Sequence, residues 1–253
     1  MSDSLVIIPT YNEIENIEAM IRRVFTLPHA FDLLIIDDGS PDGTAAKVAE
    51  LQEEFPDQLH LLQRPGKLGL GTAYIKGFRW ALERHYEYIF EMDADFSHNP
   101  MDLLRLYDAC KNESFDVAIG SRYVKGVNVV NWPMSRVLMS YFASLYVRFI
   151  TGLPIHDSTA GFKCYRRNVL ASIDLNKIKF VGYAFQIEMK FTAWKWGFGI
   201  KEVPIIFTDR DKGVSKMSRN IFKEAIFGII YMKLKSFFRS YQPNEAVSEL
   251  VGE

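Results

Sequence analysis

Short, continuous apolar runs alternate along the first half of the chain with longer stretches in which apolar residues recur every three or four positions. Leu5-Val6-Ile7-Ile8 and Leu33-Leu34-Ile35-Ile36 have strand length and are apolar throughout, as expected of strands covered on both faces. Between them Ile17, Met20, Ile21 and Val24 share one face of a helix. The pattern predicts strands over 5–9, 33–37, 59–63, 88–92 and 116–120, and helices over 13–25, 44–55 and 72–84. Asn99 as N-cap and Pro100 as first helical residue predict a further helix. Strands and helices in strict alternation make an α/β fold, a mostly parallel central sheet flanked by helices.

Beyond Arg122 the pattern loosens. A long helix is expected over 133–151, closed by Gly152 and Pro154. Short strands, a helix over about 183–196 and a strand over 200–207 follow. No repeat or low-complexity linker divides the chain, so the expected organisation is one domain over 1–217 and a helical tail over 218–253.

Composition narrows the function classes. A net charge of −1 gives no general case for nucleic acid. The charge is uneven, however. Residues 210–241 carry eight Lys/Arg against Asp211 and Glu224, and the tail segment 221–235 is amphipathic, which suits an interfacial helix on a membrane surface. Cys110 and Cys164 have no metal or redox spacing and are expected to be small core residues. Met1-Ser2-Asp3-Ser4 lacks a basic leader, and no apolar run approaches the roughly 18 residues of a membrane span, so neither a signal peptide nor a transmembrane helix is expected.

The chemistry-bearing residues gather at strand ends. Strand one ends in Pro9-Thr10-Tyr11-Asn12-Glu13, where Tyr11 offers a flat face to a nucleobase and Glu13 an acceptor; the same residues also make an ordinary strand-to-helix turn. Strand two ends in Asp37-Asp38-Gly39-Ser40, acids that can accept from base or ribose or cap the turn. Strand four ends in Asp93-Ala94-Asp95, a pair of hard oxygen donors suited to a divalent cation that also takes substrate phosphates. Three polar strand ends on one rim of a parallel sheet are what a nucleotide-diphosphate site requires. The loop Arg64-Pro65-Gly66-Lys67-Leu68-Gly69-Leu70-Gly71-Thr72 lacks a third glycine and follows the wrong strand for a dinucleotide loop, so it is read as a tight turn into a helix.

Taken in order, Pro9-Thr10-Tyr11-Asn12-Glu13, Asp37-Asp38-Gly39-Ser40, Lys67-Leu68-Gly69-Leu70-Gly71, Met92-Asp93-Ala94-Asp95, Gly120-Ser121-Arg122-Tyr123, Gly161-Phe162 and Val203-Pro204-Ile205 resemble the dolichyl-phosphate or polyprenyl-phosphate mannosyltransferases. These are family-2 inverting glycosyltransferases of the GT-A fold, and the resemblance runs from about residue 5 to 220. It implies transfer of mannose from GDP-mannose to a polyprenyl (dolichyl-type) phosphate. It also implies that Pro9, Tyr11, Glu13, Ile36 and Asp38 surround the guanosine, that Asp93 and Asp95 bind Mg²⁺ or Mn²⁺ on the diphosphate, and that Ala94 between them lines the donor site. Arg122, Arg210 and Lys216 would contact phosphates of donor or acceptor. Ser97 departs from relatives that place a glutamine there as a third metal ligand, and Asp157-Ser158-Thr159-Ala160-Gly161-Phe162 departs mildly from D-x-T-S-G-F.

A phosphate acceptor is already an anion, so no general base is assigned and catalysis reduces to alignment and charge stabilisation. On the helix over 133–151, Arg136, Ser140, Ser144 and Arg148 recur at four-residue steps. Arg136 and Ser140 are the candidates to grip the lipid phosphate, with Asp95 and Arg122 as the other catalytic candidates. The expected location is peripheral, at the cytoplasmic face of a membrane, with a small membrane-protein partner left open. UDP-glucose as donor is the alternative chemistry. A non-catalytic nucleotide-binding subunit would be marked by loss of Asp93, Asp95, Arg122 or Arg210, and all four are present.

Overall fold

The computed structural model of the chain describes residues 2–209, 220–239 and 241. In chain order the described elements are β1 (Ser4–Thr10), α1 (Ile17–Phe25), β2 (Asp32–Asp37), α2 (Thr44–Glu54), β3 (Leu59–Gln63), α3 (Leu70–Leu82), β4 (Tyr88–Glu91), α4 (Asp102–Lys111) and β5 (Val117–Ser121). They continue with β6 (Val129–Val130), α5 (Met134–Thr151), β7 (Lys163–Arg166), α6 (Arg167–Ser172), α7 (Tyr183–Lys195), β8 (Ile200–Pro204), β9 (Phe207–Thr208) and α8 (Asn220–Ser236).

Seven strands form one sheet in the order β3-β2-β1-β4-β7-β5-β8. All neighbours pair in parallel except around β7, which runs antiparallel to both β4 and β5. Alternate residues of each strand serve opposite faces. Val6, Ile8, Leu33, Ile35 and Phe90 pack with α1, α2 and α4 on one side. Leu5, Ile7, Leu34, Ile36 and Ile89 pack with α3, α6 and α7 on the other. Both faces are therefore buried, which is why the strands are apolar without alternation. A third, smaller cluster of Val147, Ile187, Phe191, Ile229 and Met232 joins α5, α7 and α8.

The departures from the expected elements bear on the site. Helix α1 begins at Ile17, not at residue 13, because Asn12 takes a left-handed φ of 56°. The next amides then bond sideways: Glu13 N donates to Thr44 Oγ1 at 3.0 Å and Ile14 N to Asp42 Oδ2 at 3.1 Å. The helix expected to start at Pro100 begins two residues later, at Asp102, and Asn99 accepts from Met101 N at 3.1 Å in the turn before it. The strand expected over 200–207 splits, with β8 on the main sheet and β9 pairing β6 in a separate two-stranded ribbon.

The 69–71 glycines serve packing. Gly69 has φ 100°, and a Cβ on Gly71 would come within 2.8 Å of both the Phe180 carbonyl and the Phe185 ring. Gly71 N donates to Val181 O at 2.8 Å, so the start of α3 lies directly on the 180–182 segment.

Among the described residues, no helix is long and apolar enough to cross a membrane. Even so, α5 keeps only Ser144, Val147 and Thr151 buried. Leu138, Phe142, Leu145 and Phe149 are exposed, Phe149 at 86%. The expected polar seam turns inward, Ser144 being 1% exposed, and the apolar side faces out. An apolar patch of this kind marks an interaction surface.

Candidate active site

A cavity of about 440 Å³ opens at the C-terminal ends of β1, β4 and β5. It lies where β1 passes from its β2 neighbour to its β4 neighbour, the switch point at which open α/β sheets hold ligands. Its volume is in the range of small-molecule and cofactor sites.

One end is built by β1, β2 and the loop before α3. Pro9, Tyr11, Glu13 and Asp38 line it. The Lys67 ammonium lies 5.3 Å from the centre of the Tyr11 ring, a cation over a flat aromatic face. Asp38 is held by Arg64, which donates from Nε at 2.6 Å and from Nη2 at 2.7 Å. Arg64 also donates to Thr72 Oγ1 at 2.7 Å, so a buried bidentate pair ties β2 to the α3 turn. Ile36, expected beside the guanosine, is fully buried with its side chain against Gly77 of α3.

The centre belongs to the loop after β4. Asp93 keeps 45% of its side chain exposed, and Ala94 and Asp95 lie beside it in the cavity wall. Asp95 is 8% exposed and is oriented by Ser97, which donates to the same oxygen from its amide at 3.1 Å and from its hydroxyl. Ser97, standing where relatives have a third metal ligand, is thus committed to aiming Asp95. His98 stacks on Phe162 at 4.9 Å, and its buried Nδ1 has no hydrogen-bond partner and lies 4.0 Å from Asp93. Burial pushes His98 down to about 4, so it is neutral at neutral pH.

The donor chemistry fits a divalent metal. Two carboxylates, Asp93 and Asp95, sit together at the cavity wall. Among the described residues no group of three or more His, Cys, Asp or Glu is placed to hold a metal ion, so a cation there would rest on the two carboxylates. That is the arrangement of a hard cation completing its shell from water and substrate phosphates.

The far wall brings Arg122 and Arg136. The Arg122 guanidinium donates to Asp157 from Nε at 2.7 Å and Nη2 at 2.6 Å, and its amide donates to the same carboxylate at 2.9 Å. Nη2 also reaches Thr159 Oγ1 at 2.8 Å. Arg122, expected to contact a donor or acceptor phosphate, lines the cavity, and these bonds hold the segment 157–159 beside it. Burial raises Asp157, but the Arg122 charge and hydrogen bonds outweigh this and hold it below the usual carboxylate range. Arg136 lies at the rim, its guanidinium 4.0 Å above the Trp132 ring and bonded to Asp209 at 2.8 Å. Ser140, one turn on, stands by the buried Tyr123 hydroxyl, which lacks a partner in hydrogen-bond geometry. Arg210 and Lys216 lie outside the described residues.

A buried polar floor went unread in the sequence. Glu91 of β4 faces Lys163 of β7 in register, Nζ to Oε2 at 3.0 Å, and Gln186 of α7 donates to the same oxygen at 2.8 Å. Lys190 donates to Ala160 O at 2.6 Å, and burial holds its pKa well below normal. The available signal was a charged residue inside the run 88–92, where a strand buried on both faces has no place for one without a partner.

Residues 5–174 match the model of glycosyl transferase family 2. A polyprenol monophosphomannose synthase of Mycolicibacterium smegmatis is 50% identical over 226 residues, covering 89% of this chain and 85% of that protein. An undecaprenyl-phosphate mannosyltransferase of Micrococcus luteus is 47% identical over 225 residues, covering 89% and 91%. Among solved structures, glucosyl-3-phosphoglycerate synthase of Mycobacterium tuberculosis, with Mn²⁺ and UDP, superposes with TM-score 0.66 at 15% identity, covering 95% of this chain and 81% of that one. A mannosyltransferase from Pyrobaculum calidifontis with GDP-Man and Mn²⁺ gives TM-score 0.60 at 15% identity, covering 98% and 67%. At such identity the superpositions speak to the fold alone, a mostly parallel sheet with helices on both faces. The family match spans six of the seven strands of the main sheet, with the Asp93 and Asp95 loop among them, and this chain belongs to glycosyl transferase family 2.

Proposed function

We propose that this chain transfers mannose from GDP-mannose to a polyprenyl monophosphate, by a metal-dependent single displacement that inverts the anomeric centre. The observation that carries the reading is one cavity lined by Asp93, Asp95 and Arg136 and bounded by α5, a helix with Leu138, Phe142, Leu145 and Phe149 exposed. Nucleotide diphosphate, lipid phosphate and lipid chain each meet suitable chemistry there. The names of the two relatives near half identity support the acceptor and the sugar. The archaeal fold neighbour supports GDP-mannose and a divalent metal.

Tyr11, Glu13 and Asp38 bind the nucleoside end, with Lys67 closing over Tyr11. Asp93 and Asp95 would hold Mg²⁺ or Mn²⁺, and the ion would supply positive charge for the diphosphate leaving group. Arg136, supported by Trp132, binds the acceptor phosphate and aligns its oxygen with the anomeric carbon. Ser140 adds a second contact one turn away. Because the acceptor oxygen is already anionic, no side chain removes a proton. Arg122 and Lys190 act through Asp157 and Ala160, keeping the wall in place. The exposed apolar side of α5 supports a peripheral location on a membrane, which in this reading is its cytoplasmic face. Residues 1–217 form the catalytic unit.

Incubation with labelled GDP-mannose and a polyprenyl phosphate in detergent, with Mg²⁺ or with EDTA, tests the reading. Metal-dependent label in the organic phase, with a β linkage by NMR, is the expected result. An α linkage would refute the single displacement, and transfer only from UDP-glucose would refute the donor. Arg136→Ala is expected to raise the apparent KM for the lipid acceptor about tenfold, the scale of one charge-assisted contact, with little change for GDP-mannose. An unchanged acceptor KM would remove Arg136 from the phosphate site.

A further inference from the structure

A second concave site lies apart from the donor cavity, between α7, the end of α8 and the segment 177–180. Its volume is about 160 Å³, well below what a nucleoside diphosphate occupies. Four cations line it, Lys177, Lys179, Lys235 and Arg239, with Phe180 and Tyr231 as aromatic walls. Among the described residues its one acid is Glu188, whose Oε2 accepts from the Lys179 amide at 2.8 Å and the Phe180 amide at 3.0 Å. That carboxylate is turned into the backbone and shapes the cup. Lys177 pairs with Asp174 at 2.9 Å in an exposed contact of the weakly held kind.

The cup adjoins an apolar surface. Tyr231 belongs to both, since Phe227, Tyr231, Leu234 and Phe238 of α8 and its end are 73%, 60%, 57% and 92% exposed. Helices α5 and α8 pack together through Val147, Ile229 and Met232, so their exposed apolar residues continue one another. Cations beside exposed aromatic and aliphatic groups complement an anionic bilayer in both charge and polarity. A cup of this size admits a phosphate group but not a nucleotide.

We propose that this cup binds the phosphate-bearing head group of an anionic phospholipid, separate from the acceptor lipid. It rests on the membrane-borne acceptor of the proposed function only for its purpose. Phe180 walls the cup, while the following Val181 and Gly182 line the donor cavity, so one short segment borders both sites. A Cβ on Gly228 would lie 2.5 Å from the Phe180 ring, so α8 is seated closely on that segment. A bound head group thus anchors the protein one loop away from the donor.

The test is flotation of the full chain, without donor or acceptor, on phosphatidylcholine vesicles with and without phosphatidylglycerol. Its outcome is therefore independent of whether mannose is transferred. The combined variant Lys179→Gln, Lys235→Gln, Arg239→Gln is expected to lose at least about tenfold in partition to the anionic vesicles. It should keep wild-type transfer to a detergent-dispersed acceptor. A control with Arg23→Gln, Lys76→Gln and Lys111→Gln, on α1, α3 and α4, should partition like wild type. Equal losses in the two variants would mean diffuse charge attraction and overturn the proposal, as would no loss in the first. Saturable binding of inorganic phosphate that the first variant abolishes, without vesicle partition by the wild type, would assign the cup to a soluble anion and overturn it too.

Discussion

Asp95→Asn is expected to lower mannosyl transfer by about 10²–10³-fold, the scale of losing one preorganised group that stabilises transition-state charge. The structure makes this substitution a clean one. Asp95 is 8% exposed and accepts from the Ser97 amide and hydroxyl through a single oxygen, a role an asparagine oxygen retains. What disappears is the negative charge beside Asp93, and with it affinity for a divalent cation. Electron paramagnetic resonance of Mn²⁺ in the presence of GDP should show at least about tenfold weaker binding, on the scale of losing one charged ligand contact. Ser97→Ala, which removes the hydroxyl bond to Asp95 but leaves the amide bond and the charge, should cost roughly tenfold or less, a hydrogen bond to a charged group. Transfer within threefold of wild type in Asp95→Asn would remove Asp95 from the metal site.

The elements up to β5 were legible because the strands are buried on both faces, and burial writes itself as uninterrupted apolar runs. The strand ends were legible for the complementary reason: Tyr11, Asp38, Asp93 and Asp95 are polar where an apolar run stops, and the sheet collects those ends on one rim. Partnership was harder to see. Asp38 reads as a ligand-binding acid, but its partner Arg64 is 26 residues away and meets it only because β2 and β3 pair in parallel. The same holds for Arg122 and Asp157, which are 35 residues apart in sequence. β7 was missed as part of the main sheet because its antiparallel insertion between β4 and β5 is a matter of topology, carried by no local pattern. Period two sets the face of Ile36: just before Asp37 in β2, its side chain points to the α3 face with Ile7.

Helix α5 shows the limit in another way. Its polar residues at four-residue steps were visible, but which way the stripe faced was not, because an amphipathic helix says only that two environments differ. Packing against α7 and α8 turns Ser144 inward and leaves Phe149 at 86% exposure, so here the polar side lies toward the protein. Water would favour the opposite arrangement, and the inversion leaves an apolar face beside the cavity.

Arg122→Ala is the second substitution with a large expected effect, and it acts on stability before it acts on chemistry. Asp157 is fully buried, and Arg122 supplies two side-chain hydrogen bonds to it from a position itself 5% exposed. Removing the cation leaves a buried carboxylate uncompensated, which costs about 3–5 kcal/mol. For a domain of this size that is a fall in Tm of roughly 10 °C. Arg122→Met with Asp157→Leu together should recover much of that loss, since exchanging a buried pair for apolar groups is often near neutral. Transfer should stay low in the pair variant, because Thr159 and the segment beside it lose their tether to the cavity wall. The pH dependence gives an independent check. In the wild type Asp157 is held below its unfolded value of about 3.9, so the pair stabilises the fold above that pH and the contribution fades as pH falls through the lower folded value. Without Arg122 burial raises Asp157 instead, and protonation relieves the variant as pH falls. The Tm gap between wild type and Arg122→Ala should therefore be widest near neutral pH and narrow on acidification. A gap independent of pH, measured by calorimetry, would mean that the substitution acts through lost packing on Tyr123, Trp132 and Phe207 and not through the buried charge.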